Sequence, residues 1–431
     1  MEGEWETKRI GDLGRVVTGK TPSTAVAENF GGIYPFITIP DMDGRREISA
    51  SARTLSEQGA QSLRTCRLPA GAVMMSCIAT IGNCGITTRP SFTNQQINSL
   101  ICGDDADPKF VFYCFSQLGH ALLAAGGGGS VYTNVSKSRF EEIELTLPPL
   151  AEQKAIAAVL GALDDKIELN RRMNATLEAM ARALFQSWFV DFDPVRAKFD
   201  GRKPIGLDET TAALFPEHLE DSPLGHIPQG WEVKIVGDIG DVICGKTPPT
   251  SVADYYGEDI PFITIPDMHG NVFGAATARK LSHAGANSQA NKTLPPGSLC
   301  VSCIATPGLV VITSEDSQTN QQINSVVPHQ KEETYFWYWV MTSLRAEIAS
   351  SGSGGSVLVN LSKGRFETLH VIKPPHALIR AYHTTVRPLF ETILANTYQS
   401  RTLATLRDTL LPKLLSGELS TTANLLASTK S

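Results

Sequence analysis

Two copies of a phosphate-binding sequence pattern are the first feature of this chain that could carry chemistry. Residues 14–21 and 240–247 both match GxxxxGK[ST], a loop that binds nucleotide phosphates when a helix begins at its lysine. Proline follows directly in both copies, at Pro22 and at Pro248, and the next residues have no helical apolar period. The sequence therefore disfavours a P-loop NTPase, although the pattern keeps that alternative open.

Two runs of side-chain amides are the second such feature. They are Asn94, Gln95 and Gln96, and Asn320, Gln321 and Gln322. Asn and Gln can form two hydrogen bonds with the edge of an adenine base, so both runs are candidates for reading a DNA sequence. The same amides can instead satisfy the backbone groups of a loop, and the sequence leaves both interpretations open.

Several basic and hydroxyl side chains lie beside glycine-rich or serine-rich loops, where backbone can approach a phosphate. The basic residues are Lys20, Lys137, Arg139, Lys246, Lys363 and Arg365, and the hydroxyl residues are Thr21 and Thr247. We assign them to positioning on a phosphate backbone rather than to sequence specificity. Taken singly, each charge is explained as readily by a solvated surface side chain.

An internal duplication relates all of these residues. Trp5-Glu6 recurs as Trp231-Glu232, residues 35–42 recur as 261–268, and residues 93–99 recur as 319–325, always at an offset of 226 positions. A constant offset over more than 140 residues means no net insertion, so the two copies should share one backbone. Each copy is far longer than a solenoid repeat and is therefore a whole domain with its connector.

Within the first copy, apolar and β-branched runs bounded by Gly and Pro predict strands at 33–39, 73–81 and 143–147. Residues 107–125 and their counterparts 332–350 predict helices that end at the glycine-rich stretches 126–129 and 352–355. The fold class is therefore α+β in each copy.

A long helix follows each domain. Leu, Ile, Asn and other residues recur in alternating steps of four and three at Ile156, Leu160, Leu163, Ile167, Asn170, Asn174, Leu177, Ala181, Leu184 and Trp188. The second copy repeats these steps at Tyr382, Val386, Leu389, Ile393, Asn396, Ser400, Leu403, Arg407, Leu410 and Leu414. Such a heptad seam predicts that the two helices pair, and a buried Asn in each would fix their register. Alternatively, the helices only cover the domains.

Antiparallel pairing, with a pseudo-two-fold axis between the copies, would place the domains at opposite ends of a spacer about 50 Å long at ~1.5 Å per residue. The predicted organisation is a first domain at 1–149, a helical spacer at 150–190, an irregular linker at 191–230, a second domain at 231–375, a second spacer at 376–418 and a disordered tail at 419–431. The linker is expected to contain at most one short helix, around residues 210–215.

Composition excludes several classes of protein. With 42% hydrophobic and 19% charged residues, the chain resembles a folded globular protein. The sequence predicts neither a membrane span nor a signal peptide, which favours the cytoplasm, and its eight cysteines lie in apolar segments as reduced thiols would. We predict no metal site at Cys300 and Cys303, because no second ligand pair accompanies them.

Three longer strings carry a resemblance to a known family. They are LPPLAEQK at 147–154, LFQSWFVDFDP at 184–194 and SPLGHIPQGW at 222–231. Together with the order of domain, helix, domain, helix, they make essentially the whole chain resemble the DNA-specificity subunits of type I restriction-modification systems. Residues 374–379 lack the Glu-Gln of the first helix, so the second helix is expected to dock partners less symmetrically.

The resemblance implies a non-catalytic protein with two target-recognition domains, whose helices dock two methyltransferase subunits and whose complex includes restriction subunits and double-stranded DNA. S-adenosylmethionine, ATP and Mg²⁺ would then belong to the partner subunits. Because the copies are so alike, the DNA target should be a bipartite, nearly inverted repeat. The net charge of -6 counts against a free-standing DNA binder and leaves a structural coiled-coil adaptor as the alternative.

Overall fold

The computed structural model describes residues 5–78, 81–125, 135–351 and 361–420, which form two compact units. The first unit comprises Met1–Leu169 with Thr402–Ser431, and the second comprises Asn170–Arg401. The predicted glycine-rich helix ends at 126–129 and 352–355, and residues 421–431 of the predicted tail, lie outside the described residues. The domain bounds expected from the sequence stay a prediction, since each unit contains part of each long helix.

The first unit contains three small sheets. Its strands are β1 (Glu6–Arg9), β2 (Gly14–Thr18), β3 (Phe30–Ile37), β4 (Glu47–Ile48), β5 (Arg53–Leu55), β6 (Val73–Ser76), β7 (Cys84–Thr87), β8 (Phe92–Thr93), β9 (Ile97–Cys102) and β10 (Glu144–Leu147). They are ordered β2-β9-β6-β7-β4, β5-β3-β8 and β1-β10. The helices are α1 (Glu57–Ser62), α2 (Pro108–Ala125), α3 (Lys137–Glu142) and the start of α4 (Leu150–Phe189).

The second unit repeats this arrangement, preceded by two short helices and a two-stranded hairpin that the first unit lacks among its described residues. Its strands are β11 (Leu219–Ser222), β12 (Gly225–Pro228), β13 (Glu232–Ile235), β14 (Gly240–Cys244), β15 (Tyr256–Gly257), β16 (Ile260–Ile263), β17 (Lys280–Leu281), β18 (Leu299–Ser302), β19 (Val310–Ile312), β20 (Gln318–Thr319), β21 (Ile323–Pro328) and β22 (His370–Lys373). The sheet orders are β14-β21-β18-β19, β15-β17-β16-β20, β13-β22 and β11-β12. The helices are α5 (Asp193–Phe199), α6 (Glu209–Ala213), α7 (Ile265–Met268), α8 (His283–Asn287), α9 (Thr334–Ser343), α10 (Arg345–Ser351), α11 (Lys363–Glu367) and α12 (His376–Leu415).

The two copies share strand register as well as strand order. Val73 pairs with Leu100 in the first unit, and the residues 226 positions later, Leu299 and Val326, pair in the second. The repeated string around residue 38 has a structural purpose: the Asp41 carboxylate accepts hydrogen bonds from the backbone and hydroxyl of Thr38 at 2.8 and 2.7 Å and so holds a short 3-10 turn. The prediction of two similar α+β domains on one backbone is confirmed.

Helices α4 and α12 each contain 40 residues and pack against each other in antiparallel orientation. In the second unit, Tyr382 donates a hydrogen bond to the carbonyl of Ala181 at 3.0 Å. In the first unit, Arg407 lies 2.7 Å from the carboxylate of Asp164. Residue numbers therefore rise along one helix as they fall along the other. The seam predicts that the helices pair, and the antiparallel direction agrees with the predicted fold class.

Each unit has a core that includes both long helices. In the first, Leu160 of α4 and Leu411 of α12 pack with Phe110 and Phe115 of α2 over the β2-β9-β6 sheet. In the second, aromatic side chains dominate the core, and they include Phe185, Trp188, Phe189, Trp231, Phe336, Trp337, Tyr382 and Phe390. Burial of these large rings supplies most of the hydrophobic stabilisation of that unit.

The prediction of an irregular linker at 191–230 was wrong. This segment contains α5, α6 and the antiparallel hairpin β11-β12, and it buries Phe192, Val195, Phe215 and Ile227 in the core of the second unit. Its prolines obscured the pattern, because Pro194 lies in the first turn of α5, where a proline fits a helix.

The helix predicted at 332–350 is in fact two helices, α9 and α10, that meet at Leu344. We attribute the break to Arg345, which lies against the backbone of Gly308, whereas the first copy has glycine at both corresponding positions, Gly119 and Gly82. The predicted strands at 33–39 and 73–81 end earlier than expected, at Ile37 and Ser76, and residues 79–80 lie outside the described residues.

The eight cysteines are free, and six of them are buried. Burial raises the pKa of Cys77 and Cys303 to about 11, and that of Cys114 and Cys300 to about 12. These thiols stay protonated near neutral pH, and because only the thiolate is a nucleophile, they should be unreactive in the folded chain.

We expect the folded protein at pH 8 to react with iodoacetamide much more slowly at these buried cysteines than the chain does in guanidinium chloride. Burial also raises their folded pKa above the unfolded value, so stability should fall as the pH rises from about 9 towards 11. Mass spectrometry of labelled peptides measures the first effect and urea unfolding at each pH the second. Rapid labelling of Cys300 in the folded chain would contradict the packing.

Candidate nucleic-acid interface

The repeated sequence strings converge at one edge of each unit. In the first unit, the backbone N–H of Gly19, just after β2, donates to the carbonyl of Ile97 at 3.1 Å. The N–H of Cys77, just after β6, donates to the carbonyl of Gln96 at 2.8 Å. The ends of β2 and β6 and the turn before β9 therefore form one continuous surface.

The second unit makes the same contacts. Gly245 donates to Ile323 at 3.0 Å, and Cys303 donates to Gln322 at 2.9 Å. Two of the preserved strings thus contribute to this edge, residues 19–22 and 93–99 in the first unit and their counterparts in the second. We call the edge in each unit the amide edge, defined by residues 19–21 and 94–96 in the first unit and 245–247 and 320–322 in the second.

Close backbone packing explains the glycine of each GxxxxGK[ST] pattern. A Cβ atom on Gly19 would lie 2.2 Å from the carbonyl oxygen of Asn94, and a Cβ on Gly245 would lie 2.2 Å from that of Asn320. The residues before Gly19 form β2, and after Lys20 the chain continues as coil and turn up to the 3-10 helix Ala27–Asn29. The pattern therefore lacks the helix that a phosphate-binding P-loop needs at its lysine.

The two outer amides of each run form a turn. The side-chain oxygen of Asn94 accepts a hydrogen bond from the backbone N–H of Gln96 at 3.1 Å, and the Asn94 amide N–H donates to the Gln96 side-chain oxygen at 2.9 Å. Asn320 and Gln322 repeat both bonds at 3.1 and 3.0 Å. These bonds support the turn, and base reading by these four half-exposed residues stays a prediction.

The central amides differ, because Gln95 and Gln321 are exposed. The hydroxyl of Thr21 donates to the side-chain oxygen of Gln95 at 2.8 Å, and Thr247 donates to Gln321 at 2.7 Å. Each bond connects the GKT segment to the amide turn and fixes the orientation of an exposed side-chain amide. With its oxygen held by the threonine, the Gln side chain presents its N–H₂ donor in a defined direction, as base reading requires.

The predicted basic residues lie on the surface, and the structure places them in two groups. Lys20 and Lys246 are exposed at the amide edges. Lys137 with Arg139, and Lys363 with Arg365, lie on the short helices α3 and α11, whose first turns are capped by the side chains of Ser136 and Ser362.

Carboxylates partly offset the second group of charges. Lys137 lies 3.4 Å from Glu141, and Lys363 lies 3.4 Å from Glu367, each pair one helical turn apart. Exposed pairs of this kind are weak, so a phosphate could displace them at small cost.

Asn170 and Asn396 meet in the interface between α4 and α12, in the second unit. Asn170 is fully buried, and its amide donates to Gln399 at 2.9 Å and to Ser400 at 3.2 Å. Asn396 donates to the side-chain oxygen of Asn174 at 2.9 Å. Since shifting either helix would break these bonds, the network can fix the register of the pair at some cost in stability.

Sequence reasoning missed Gln153, which lies in the LAEQK string. Its buried side chain donates to the carbonyls of Pro148 and Asp105 at 2.9 and 3.1 Å and accepts from the N–H of Asp107 at 2.9 Å. The glutamine thus fastens the start of α4 to the start of α2. Comparison of the two copies could have singled out Gln153, because its counterpart at residue 379 is an apolar isoleucine.

In the second copy, different residues hold the starts of the two corresponding helices together. Glu333, the counterpart of Asp107, is buried and accepts from the indole N–H of Trp337 at 2.8 Å, and it lies 2.9 Å from Nδ1 of His376 at the start of α12. Ile379 is fully buried in the apolar core. The sequence of residues 374–379 differs from that of the first copy, and the residues that hold the two helix starts together differ with it.

A two-domain fold with a duplicated amide edge and a paired-helix connector defines a protein that presents the same surface twice. The sequence model of a protein family, the type I restriction modification DNA specificity domain, matches residues 2–179 and 228–377 of this chain. The chain belongs to this family.

Two relatives that align with most of this chain are specificity subunits of type I restriction enzymes. The chain is 38% identical over 355 residues to the type I restriction enzyme HindI specificity subunit of Haemophilus influenzae, covering 72% of this chain and 77% of that protein. It is 30% identical over 434 residues to the MjaIX specificity subunit of Methanocaldococcus jannaschii, covering 96% and 94%. The crystal structure of the S subunit from M. genitalium has the same fold, with a TM-score of 0.53 at 16% identity, covering 95% of this chain and 96% of that one.

Two kinds of feature are absent from the part of the chain that the structure describes. Among the described residues, no helix has the length and apolar character to cross a membrane. Within the same residues, no three His, Cys, Asp or Glu side chains are grouped so that they could hold a metal ion.

We expect Gly19→Ala to destabilise the first unit by about 2 kcal/mol or more, because the added Cβ would clash with backbone that cannot move aside. Gly245→Ala should do the same in the second unit. Gly364→Ala is the matched control, since a Cβ there meets nothing within 4 Å and alanine favours the helix. Urea unfolding measures all three, and a Gly19→Ala variant as stable as the control would disprove the packing role.

Proposed function

We propose that this chain is the DNA-specificity subunit of a type I restriction-modification complex and that its two amide edges face the DNA. Its family supports the general role. The observation that carries the assignment of the surface is the exposed amide of Gln95, oriented by Thr21 and repeated with the same bond at Gln321 and Thr247. Surfaces that only stabilise the fold have no need of an oriented, exposed donor.

The similarity of the two amide edges allows a prediction of the symmetry of the DNA target. Because the same residue types make the same bonds on the same backbone, the two domains should prefer similar half-sites. Antiparallel helices related by a pseudo-two-fold axis would present those half-sites in opposite directions. The proposed target is a bipartite, nearly inverted repeat with an unread gap between its halves.

The proposed complex assigns the catalytic chemistry to other subunits. Two methyltransferase subunits would dock on α4 and α12 and supply S-adenosylmethionine, and restriction subunits would supply ATP and Mg²⁺. This chain would be non-catalytic. The sequence supports this assignment, because it contains no Asn-Pro-Pro-aromatic motif of an adenine methyltransferase and the GxxxxGK[ST] segments pack as strand and coil.

The net charge of -6 fits this division of labour. A protein that binds DNA alone needs a basic surplus, because neutralising phosphates releases counterions and drives binding. A subunit that binds DNA within a complex can leave much of that charge to its partners. Lys20, Lys137, Arg139, Lys246, Lys363 and Arg365 would then position the two edges on the phosphate backbone.

The deciding experiment co-expresses this chain with its cognate methyltransferase subunit and maps N6-methyladenine across a genome at single-base resolution, with a control that lacks this chain. We expect methylation that depends on this chain and falls on a bipartite, nearly palindromic motif. A bipartite but asymmetric motif would reject the shared half-sites. A purified complex that methylates no specific motif would reject the specificity role.

Within that assay, Gln95→Ala should relax or alter one half-site while leaving the other unchanged, and Gln321→Ala should affect the opposite half-site. Loss of a good amide-base contact costs about tenfold or more in discrimination. Gln58→Ala is the matched control, because Gln58 is an exposed glutamine of the first unit on α1. An unchanged motif in both variants would show that the amide edges do not read bases.

A further inference from the structure

The first domain contacts the long helices through a partly buried polar network, the polar clamp, formed by Arg46, Tyr113, Asp164, Asp165 and Arg407; Arg46 and Tyr113 are buried, whereas Asp165 is exposed. The Tyr113 hydroxyl donates to the Asp164 carboxylate at 2.6 Å, and Arg407 of α12 donates to its other oxygen at 2.7 Å. Arg46 donates to Asp165 at 2.6 Å and contacts the Tyr113 hydroxyl at 3.4 Å. All five residues lie in the first unit.

The clamp connects four elements within that unit, one of which is α12 with Arg407. Arg46 lies directly before β4 and is only 8% exposed, Tyr113 lies on α2, and both aspartates lie on α4. The guanidinium of Arg46 also donates to the backbone carbonyl of Gly161 at 3.3 Å. A Cβ on Gly161 would lie 3.0 Å from that guanidinium, so the close approach of Arg46 to the helix depends on glycine.

The duplication identifies the corresponding residues of the second unit. The backbone N–H of Ile86 donates to the carbonyl of Arg46 at 2.7 Å, and 226 positions later the N–H of Ile312 donates to the carbonyl of Val272 at 2.8 Å. Arg46 and Val272 therefore occupy the same place in the two domains. By the same offset, Tyr113 corresponds to Trp339, Asp164 to Phe390 and Arg407 to Ala181.

In the second unit, the corresponding contact is apolar. Val272, Trp339, Phe390 and Ala181 are all buried in one hydrophobic core. The ring of Phe390 lies 6.4 Å from that of Phe273, with the planes nearly perpendicular. At this place the first domain therefore makes charged contacts with the helices, in addition to its apolar core, whereas the corresponding contact of the second domain is aromatic.

The two kinds of contact constrain geometry differently. Hydrogen bonds weaken steeply away from linearity, and a carboxylate bonded from two sides permits few orientations of its donors. Apolar contacts are non-directional and tolerate small rotations of one surface over the other. Arg46 and the side chain of Asp164 are only 8% and 12% exposed, and leaving either charge without its partner is costly, so the clamp favours one arrangement and penalises others.

We propose that Arg46, Tyr113, Asp164 and Arg407 are positioning residues that set the angle of the first domain on the helices and thereby the number of unread base pairs that the protein accepts. This inference rests on the proposed function. It assigns the clamp no contact with DNA. The letters of both half-sites would be read elsewhere, at the amide edges, while the clamp would select between spacer lengths.

The test is Asp164→Asn in the full chain, co-expressed with the methyltransferase subunit. The amide keeps the shape of the carboxylate but removes the charge that Arg407 faces and one acceptor of the Tyr113 and Arg407 bonds. Methylation would be measured on DNA that carries the native motif and on DNA whose spacer is one base pair longer or shorter. We expect the ratio of native-spacer to altered-spacer methylation to fall about tenfold, with the half-site letters unchanged.

Glu391→Gln is the matched control. Glu391 lies on α12 at the position that corresponds to Asp165, and its carboxylate is an exposed partner of Arg387 at 3.7 Å. Removing this charge should leave spacer selectivity unchanged. A loss of overall stability in Asp164→Asn would lower methylation on all three DNAs together and would not change their ratio, so the ratio separates positioning from folding.

The outcomes distinguish this inference from the function on which it rests. If the unaltered chain directs no sequence-specific methylation, the proposed function fails. If it does so and Asp164→Asn keeps the native spacer ratio, only the positioning role fails. Should Asp164→Asn not fold, Arg407→Lys replaces it, because lysine keeps the charge but not the planar geometry of arginine. An unchanged spacer ratio in that variant would equally overturn the inference.

Discussion

The packing of α4 against α12 is the contact on which the rest of this molecule depends. Neither domain has a complete core without both helices: Leu160 and Leu411 contribute to the first core, and Trp188 and Tyr382 contribute to the second. The helices are therefore part of the folding units as well as a connector between them. This also explains why polar residues are tolerated in the seam, since apolar residues on either side supply the stabilisation that Asn170 does not.

Much of the fold could be predicted from the sequence, because the duplication and the heptad steps are long and regular. A constant offset of 226 positions required a common backbone, and the seam residues that recur at that same offset predicted that the two helices pair. The segment 191–230 could not be predicted in the same way. Its buried residues Phe192, Val195, Phe215 and Ile227 follow no single period, because they come from two short helices and a hairpin that each contribute one or two side chains.

The candidate site was predictable only as a set of residues. The sequence could not decide between base reading and loop support for the amide runs, and it gave no sign that the amides within a run differ: Asn94 and Gln96 bond to each other, whereas Gln95 is exposed. The polar clamp gave no signal in either copy taken alone. It becomes visible when the copies are compared, since Arg46 and Asp164 stand where the second copy has Val272 and Phe390. Departures from an internal repeat are thus as informative as its matches.

The first unit is built from two separate stretches of the chain, and this affects the order in which its core is completed during synthesis. That unit includes residues from Thr402 onwards, and Leu411 and Leu414 of α12 lie in its core. During synthesis the first domain leaves the ribosome before the second, yet the helix residues that complete its core emerge only after the second unit. The second unit, made entirely of Asn170–Arg401, has no such delay. The domain that is made first is therefore finished last, and until then its unpaired α4 surface is exposed to chaperones and to other chains.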